Sequence, residues 1–526
     1  AGLTLSFGKT PLWATSANAR IEVLVDEPIG TISPNLYGHF TEHIGGVIYD
    51  GVWVGEHSKI PNRSGIRSAL LDRLQQIHAP IIRWPGGCFA DSYDWRDGIG
   101  DAKNRPRRTN FWEVHPDAAR LHESGPQIFE PNEFGTNEFV RFCKLSGAEP
   151  YIAANIRSLS ALDFDQWVEY CNSPAGSTSL ADARAAQGSK DPLNVRYWGI
   201  GNESWGCGGN FTPEDYATEF RRFTSWIPRY GVDLQLIGSG PNGNDIDWTH
   251  RFFEKILATR RYDNADFVGW SVHHYSSGED ALQYDATEWY KILREANEIE
   301  TIITDQWAAM GQYDRDHHVK LVVDEYGPWY RSGTEVDPSH IFGQQITMRD
   351  ALATALTLDT FNRHAEKVSM ATCAQLVNNL NALFLAHGDQ FVETPNFYVF
   401  KMYAGHQGAQ ALRTEFSAPE AHFAANGKAA SLWGLNGSAS RKGDRVKVTL
   451  VNTDLEHEMS AQLVVTGADV KAAAATVLSS RDVHAHNTFA QPDAVKTISL
   501  ASSVRSSIVN LTIPPAAVVG IDLDIS

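Results

Sequence analysis

Leu321-Val-Val-Asp324-Glu325-Tyr326 is an apolar run that stops on two carboxylates, and Tyr197-Trp-Gly-Ile-Gly-Asn202-Glu203-Ser-Trp205 is built the same way, ending on an amide and a carboxylate. Both read as short strands, buried along their length and polar at the far end. The chain repeats the device around them. Candidate strands fall at Leu36–Phe40, Pro80–Trp84, Pro150–Asn155, Val195–Gly199, Leu234–Gly238, Phe267–His273, Val319–Asp324 and Val368–Ala371. Longer helix-like stretches separate them, among them Ser68–His78, Asn137–Leu145, Pro213–Trp226 and Asp350–His364. In Ser68–His78 the apolar Leu70, Leu71, Leu74 and Ile77 recur at the spacing of one helix face. Eight strands with intervening helices predict an α/β unit, a (β/α)8 TIM barrel.

The texture changes on both flanks. After about residue 405, Arg445–Val451, Ala461–Thr466 and Ile508–Ile513 alternate with period two, punctuated by Gly, Asn, Asp and Pro. That pattern predicts an all-β sandwich at the C-terminus. Arg20–Val25 also alternates and precedes the first barrel strand, so it is expected to join the sandwich. The expected division is residues 1–30 with the sandwich, 31–404 as the catalytic barrel and 405–526 as the sandwich itself.

Composition narrows the function. The 526 residues carry 45 Lys and Arg against 63 Asp and Glu, a net charge of −18. An acidic surface argues against a nucleic-acid partner and against an anionic membrane. The 24 Phe, 15 Trp and 17 Tyr suit stacking on neutral, polar ligands such as sugars. The cysteines, Cys88, Cys143, Cys171, Cys207 and Cys373, are odd in number and scattered. They form no disulfide framework or zinc pattern, although a single bridge stays open. The start at Ala1 fits a mature secreted or periplasmic form, favoured over a cytoplasmic one, or a trimmed chain. Sequons at Asn62, Asn202, Asn210, Asn436 and Asn510 are as many as chance supplies and do not fix the compartment.

In a barrel of this kind the reactive groups project from the C-terminal ends of the strands. Glu203 ends the fourth strand, and Glu325 ends the seventh, 122 residues downstream. Taken singly, either glutamate reads equally well as a solvated loop charge or an ion-pair partner. Two at strand ends of one barrel point to the paired carboxylates of glycoside hydrolysis. The second strand ends in Arg83-Trp-Pro-Gly-Gly87-Cys88-Phe89, where Arg83 can hold a carboxylate ionised or donate to a hydroxyl. The sixth ends in Ser271-Val-His273-His274-Tyr275, a His/Tyr pair suited to sugar hydroxyls or to orienting a nucleophile, or else a core histidine. Rival chemistries lack their motifs: there is no phosphate loop, no third glycine after Gly199-Ile-Gly201, no HExxH and no full GxSxG. The His273-His274 and His317-His318 doublets have no acidic or Cys partners at ligand spacing, so no metal is expected.

Together, Arg83–Phe89, Gly201-Asn-Glu-Ser204, the His273/Tyr275 pair, Asp324-Glu325 and Ala374-Gln-Leu-Val-Asn378 resemble glycoside hydrolase family 51, mostly α-L-arabinofuranosidases. The resemblance runs over nearly the whole chain and implies the barrel with a C-terminal jelly-roll sandwich. It implies that Glu203 is the acid/base and Glu325 the nucleophile. Glu42, in Gly38-His-Phe-Thr-Glu-His-Ile-Gly-Gly46, matches a sugar ligand, as do Arg83, Cys88, Asn202, His273, Tyr275 and Gln375. Trp112 and Trp329 match aromatic positions at the pocket edge. Tyr326-Gly-Pro328 departs from the Trp-Asn of many members, and His115–Phe129 is longer than in the shortest relatives, which leaves aglycone preference open.

The implied reaction is retaining, exo-acting release of terminal α-L-arabinofuranosyl residues from arabinan, arabinoxylan or arabino-oligosaccharides, with no cofactor. Its two roles need Glu325 ionised and Glu203 holding a proton. Relatives commonly assemble, so a homo-oligomer is expected. An endo-β-glycanase with an open cleft and a non-catalytic carbohydrate-binding protein remain as alternatives.

Overall fold

Eight parallel strands close into a barrel: Gly38–Phe40, Ile81–Trp84, Glu149–Ala154, Tyr197–Ile200, Gln235–Gly238, Phe267–Gly278, Lys320–Tyr330 and Val368–Cys373. The structure is a computed structural model that describes residues 18–114, 129–259, 266–331, 333–338, 340–425 and 428–526. Each strand pairs with its neighbour in sequence, and Thr372 and Cys373 of the last lie beside Gly38 and His39 of the first. All eight expected strands are there. Helices Ser68–Gln76, Thr136–Ser146, Pro213–Thr224 and Met348–Arg363 lie where the sequence pattern predicts helices. Two of their starts show side-chain capping. Thr212 accepts from the Asp215 N–H before Pro213, and Thr347 and Asp350 form a reciprocal box.

Inside the barrel, Ile81, Tyr151, Ile237, Val322 and Met370 pack into a fully buried layer. This apolar floor excludes water beneath the polar strand ends. The sixth and seventh strands run further than sequence suggested, to Gly278 and Tyr330, because each supplies the other's hydrogen bonds beyond the barrel rim. Glu325, His273 and Tyr275 therefore sit inside strands, not after them. Val272 pairs with Val323 but His273 pairs with Glu325, so Asp324 is an extra residue, a bulge. A bulge re-aims side chains. Asp324 and Glu325, adjacent in sequence, both reach inward: Tyr151 donates to Asp324 and Arg83 to Glu325.

Strand Ala19–Thr31 lies in a ten-stranded sheet, antiparallel to Gln410–Ser417 and parallel to Met459–Thr466. The sheet curls until Val470–Leu478, near one end, meets Ser502–Arg505 at the other. Its inner face buries Ile21, Val23, Val448, Leu463, Val509 and Ile521 in one core. A polar seam locks it to the barrel: the buried Asp359 carboxylate on helix Met348–Arg363 accepts from Ser438 Oγ at 2.6 Å, Thr449 Oγ1 at 2.6 Å and Tyr403 Oη at 2.8 Å. The site above the barrel thus rests on fixed elements. Among the described residues, no helix is long and apolar enough to cross a membrane.

Candidate active site

Arg83 forms the centre of the site, fully buried at the end of the second strand. Its Nη1 donates to Glu325 Oε1 at 2.8 Å and its Nη2 to Asn202 Oδ1 at 2.6 Å. The guanidinium also lies 4.6 Å from the centre of the Phe40 ring. A two-pronged donor on the second strand thereby fixes groups from the fourth and seventh. Tyr275 Oη donates to the other oxygen of Glu325 at 2.8 Å. Burial pushes the Glu325 carboxyl up, but the charges of His273 and Arg83, with bonds from Arg83 and Tyr275, outweigh it and hold it below the usual range. Glu325 is therefore an ionised carboxylate at neutral pH.

Glu203 stands at the rim, its side chain 20 % exposed against 8 % for Glu325. A left-handed turn presents it, with Gly201 at φ 86° and Glu203 itself at φ 40°. Glycine suits the first position because it has no Cβ. The fully buried Asp91 carboxylate holds this turn, accepting from the N–H groups of Asn202 and, on the third strand's exit, Ile156. His273 Nδ1 lies 3.0 Å from Glu203 Oε1 and 3.6 Å from Glu325 Oε2. Burial would depress its imidazolium, but the Glu325 and Glu203 charges raise it above the ordinary histidine value. The three groups are so close that one donor atom from each lies within 4.8 Å of the others. That places a Glu203 oxygen within 4.8 Å of a Glu325 oxygen.

Glu42 closes the opposite side. Its buried carboxylate accepts from the Phe89 N–H at 3.0 Å, Trp112 Nε1 at 3.2 Å and Gln375 Nε2 at 2.9 Å. Burial, with the Glu325 charge added, pushes it up to about 8 despite those bonds. One of two neighbouring carboxyls is thus neutral and the other ionised. Gln375 Oε1 is buried without a partner, an acceptor free for a hydroxyl. Trp112, Phe342, Trp329 and Tyr275 make a continuous aromatic wall, neighbouring rings 5.0–5.4 Å apart. Buried polar groups thus stand on one side of the site and aromatic rings on the other.

Comparison with known proteins agrees. A family model described as the α-L-arabinofuranosidase 1 domain matches residues 73–291, and one described as the α-L-arabinofuranosidase C-terminal domain matches 324–517. An intracellular exo-α-L-arabinofuranosidase of Bacteroides ovatus is 33 % identical over 515 residues, 96 % of each chain. The crystal structure of the GH51 arabinofuranosidase from Xanthomonas axonopodis pv. citri superposes with a TM-score of 0.89 at 34 % identity, covering 97 % of this chain and 100 % of that one. The chain belongs to glycoside hydrolase family 51. It is a glycoside hydrolase with α-L-arabinofuranosidase activity. A further member, the α-L-arabinofuranosidase of Thermotoga maritima in an arabinose complex, has a TM-score of 0.80 at 27 % identity, covering 96 % of this chain and 100 % of that one.

Within this family frame, Glu42, Arg83, Cys88, Trp112, Asn202, Glu203, His273, Tyr275, Glu325, Trp329 and Gln375 all converge on one pocket. Two sequence expectations change. The His273-His274 doublet splits as strand neighbours do: His273 meets two glutamates, while His274 Nε2 turns to the Glu295 carbonyl at 2.6 Å. Chain spacing could not reveal acidic partners 70 and 52 residues away. Cys88 is bridged to Cys207, so it has no thiol proton to offer a ligand. Cys207 and Asp91 were missed. The first carried a faint signal, four residues after Glu203; Asp91 carried none. Of the long segment His115–Phe129, residues 115–128 lie outside the described residues.

Proposed function

We propose that this enzyme releases terminal α-L-arabinofuranosyl residues with retention, Glu325 acting as nucleophile and Glu203 as acid/base. The approach of their oxygens within 4.8 Å carries the reading. Retaining pairs stand about 5–5.5 Å apart, whereas inverting pairs leave about 6.5–9.5 Å for a water. Glu325, ionised and aimed by Arg83 and Tyr275, attacks the anomeric carbon. Glu203 gives its proton to the departing oxygen, then takes one from the water that frees the sugar. Its partial exposure at the rim suits contact with both leaving group and water. Asn202, with its Oδ1 held by Arg83 and its Nδ2 3.9 Å from Cys207 Sγ, is assigned to the sugar 2-hydroxyl, where bonds tighten in the transition state.

We assign Glu42 and Gln375 to the hydroxyls of the sugar, and the aromatic wall of Trp112, Tyr275 and Trp329 to one face of a terminal ring. This supports exo action on arabinan, arabinoxylan or arabino-oligosaccharides. Proton NMR of a fresh digest tests the stereochemistry. The α-anomer of arabinose is expected first, followed by mutarotation. The β-anomer first would refute retention.

A further inference from the structure

The two site cysteines sit where they can do more than brace a loop. Cys88 follows the Pro85-Gly-Gly87 turn and Cys207 follows Glu203 by four residues, and the Cα atoms are 5.5 Å apart. Their sulfurs lie 3.7 and 3.6 Å from the same oxygen of Glu203, Oε2. Neither residue is fully buried, whereas Cys143, Cys171 and Cys373 are. While bridged, the sulfurs carry no charge and bind cations poorly, since the thiolate is the metal ligand. Reduction to two thiols changes that chemistry.

We propose that reduction of Cys88–Cys207 creates a binding site for a borderline-soft divalent cation such as zinc, held by the two sulfurs and Glu203, which switches the enzyme off. The three donor atoms already lie within 4.8 Å of one another. A tetrahedral ion with metal–sulfur bonds of about 2.3 Å and metal–oxygen bonds of about 2.0–2.2 Å spans donors about 3.5–3.8 Å apart. Small side-chain rotations supply that span. Two thiolates and a carboxylate favour zinc or cadmium over magnesium or calcium, which prefer all-oxygen sites.

The reduction balances as follows. A dithiol delivers two electrons, the S–S bond breaks, the dithiol closes to its own disulfide, and its two protons end on Cys88 and Cys207. With a phosphine, the oxide forms with oxygen from water, and the water's protons go to the sulfurs. The cation then displaces both thiol protons to solvent as two metal–sulfur bonds form. Disulfide and metal exclude each other at the same atoms. Inhibition rests on the proposed role of Glu203; binding does not.

The test uses the full chain, oxidised and phosphine-reduced, with cadmium for binding and zinc for activity. The reduced protein is expected to bind one cadmium per chain with thiolate-to-cadmium ultraviolet absorption. One equivalent of zinc should cut hydrolysis of an arabino-oligosaccharide more than 10-fold, and a chelator should restore it. The oxidised protein should show neither effect, and Cys207→Ser and Cys88→Ser should each abolish both. Absence of the absorption in the reduced protein, or equal zinc inhibition of both forms, overturns the site. Absorption without loss of activity overturns the switch, while the acid/base role of Glu203 is judged separately by the Glu203→Ala comparison of aryl and natural substrates.

Discussion

Replacing Arg83 by Met isolates the electrostatic claim at the heart of the site. The side chain is fully buried, and its 2.8 Å bond to Glu325 fixes opposite charge centres about 4 Å apart. At an effective dielectric of about 20 such a pair is worth about 4 kcal/mol in favour of the ionised carboxylate. His273 and Tyr275 remain, so Glu325 keeps part of its support. The acid limb of kcat/KM should therefore move upward. Just above the wild-type limb, activity should fall roughly 10²–10³-fold and recover as the pH is raised. The fold should also lose about 3–5 kcal/mol, the usual cost of removing one partner from a buried pair. The assay is the pH profile of aryl arabinofuranoside hydrolysis, with thermal unfolding alongside. An equal loss at every pH, with the acid limb unmoved, would refute the reasoning.

Three further outcomes follow from particular groups. Glu42 holds its proton until about pH 8, so above that a second negative charge appears near Glu325. kcat/KM should decline through pH 8, and Glu42→Gln, neutral throughout, should lose that limb whatever its absolute rate. Glu203→Ala should spare activated aryl glycosides far more than natural linkages, because good leaving groups need little protonation; equal losses would sink its acid role. Asp359 is raised by burial from the ordinary 3.8 to about 6, so its contribution is fully present below about pH 4 and lost as pH rises through 6. Asp359→Asn should flatten the fall in unfolding temperature across that window, read by calorimetry at several pH values.

Much of this was legible in the chain because it is local. Each barrel strand is a short apolar run, and Glu203 and Glu325 stand out because polar groups end such runs. What escaped depends on contacts far apart in sequence. The Asp324 bulge and the extension of two strands to Gly278 and Tyr330 arise from pairing between neighbours, not from either segment alone. The Cys88–Cys207 bridge spans 119 residues, and no spacing rule connects its ends. Asp91 looks like any loop aspartate until the third and fourth strands bring Ile156 and Asn202 onto it. Glu42 as a neutral carboxyl depends wholly on burial and on Glu325 nearby. Chemistry of single residues was visible; their protonation and pairing required the fold.

The central claim is that Glu325 forms the covalent bond to the sugar. Its most direct test is mass spectrometry of the enzyme incubated with a 2-fluoro arabinofuranoside bearing a good leaving group, which slows breakdown of any intermediate. The account predicts one arabinosyl adduct per chain, on the peptide that carries Glu325 and absent from Glu325→Ala. An adduct on Glu203, or turnover of the slow substrate by Glu325→Ala, would contradict it.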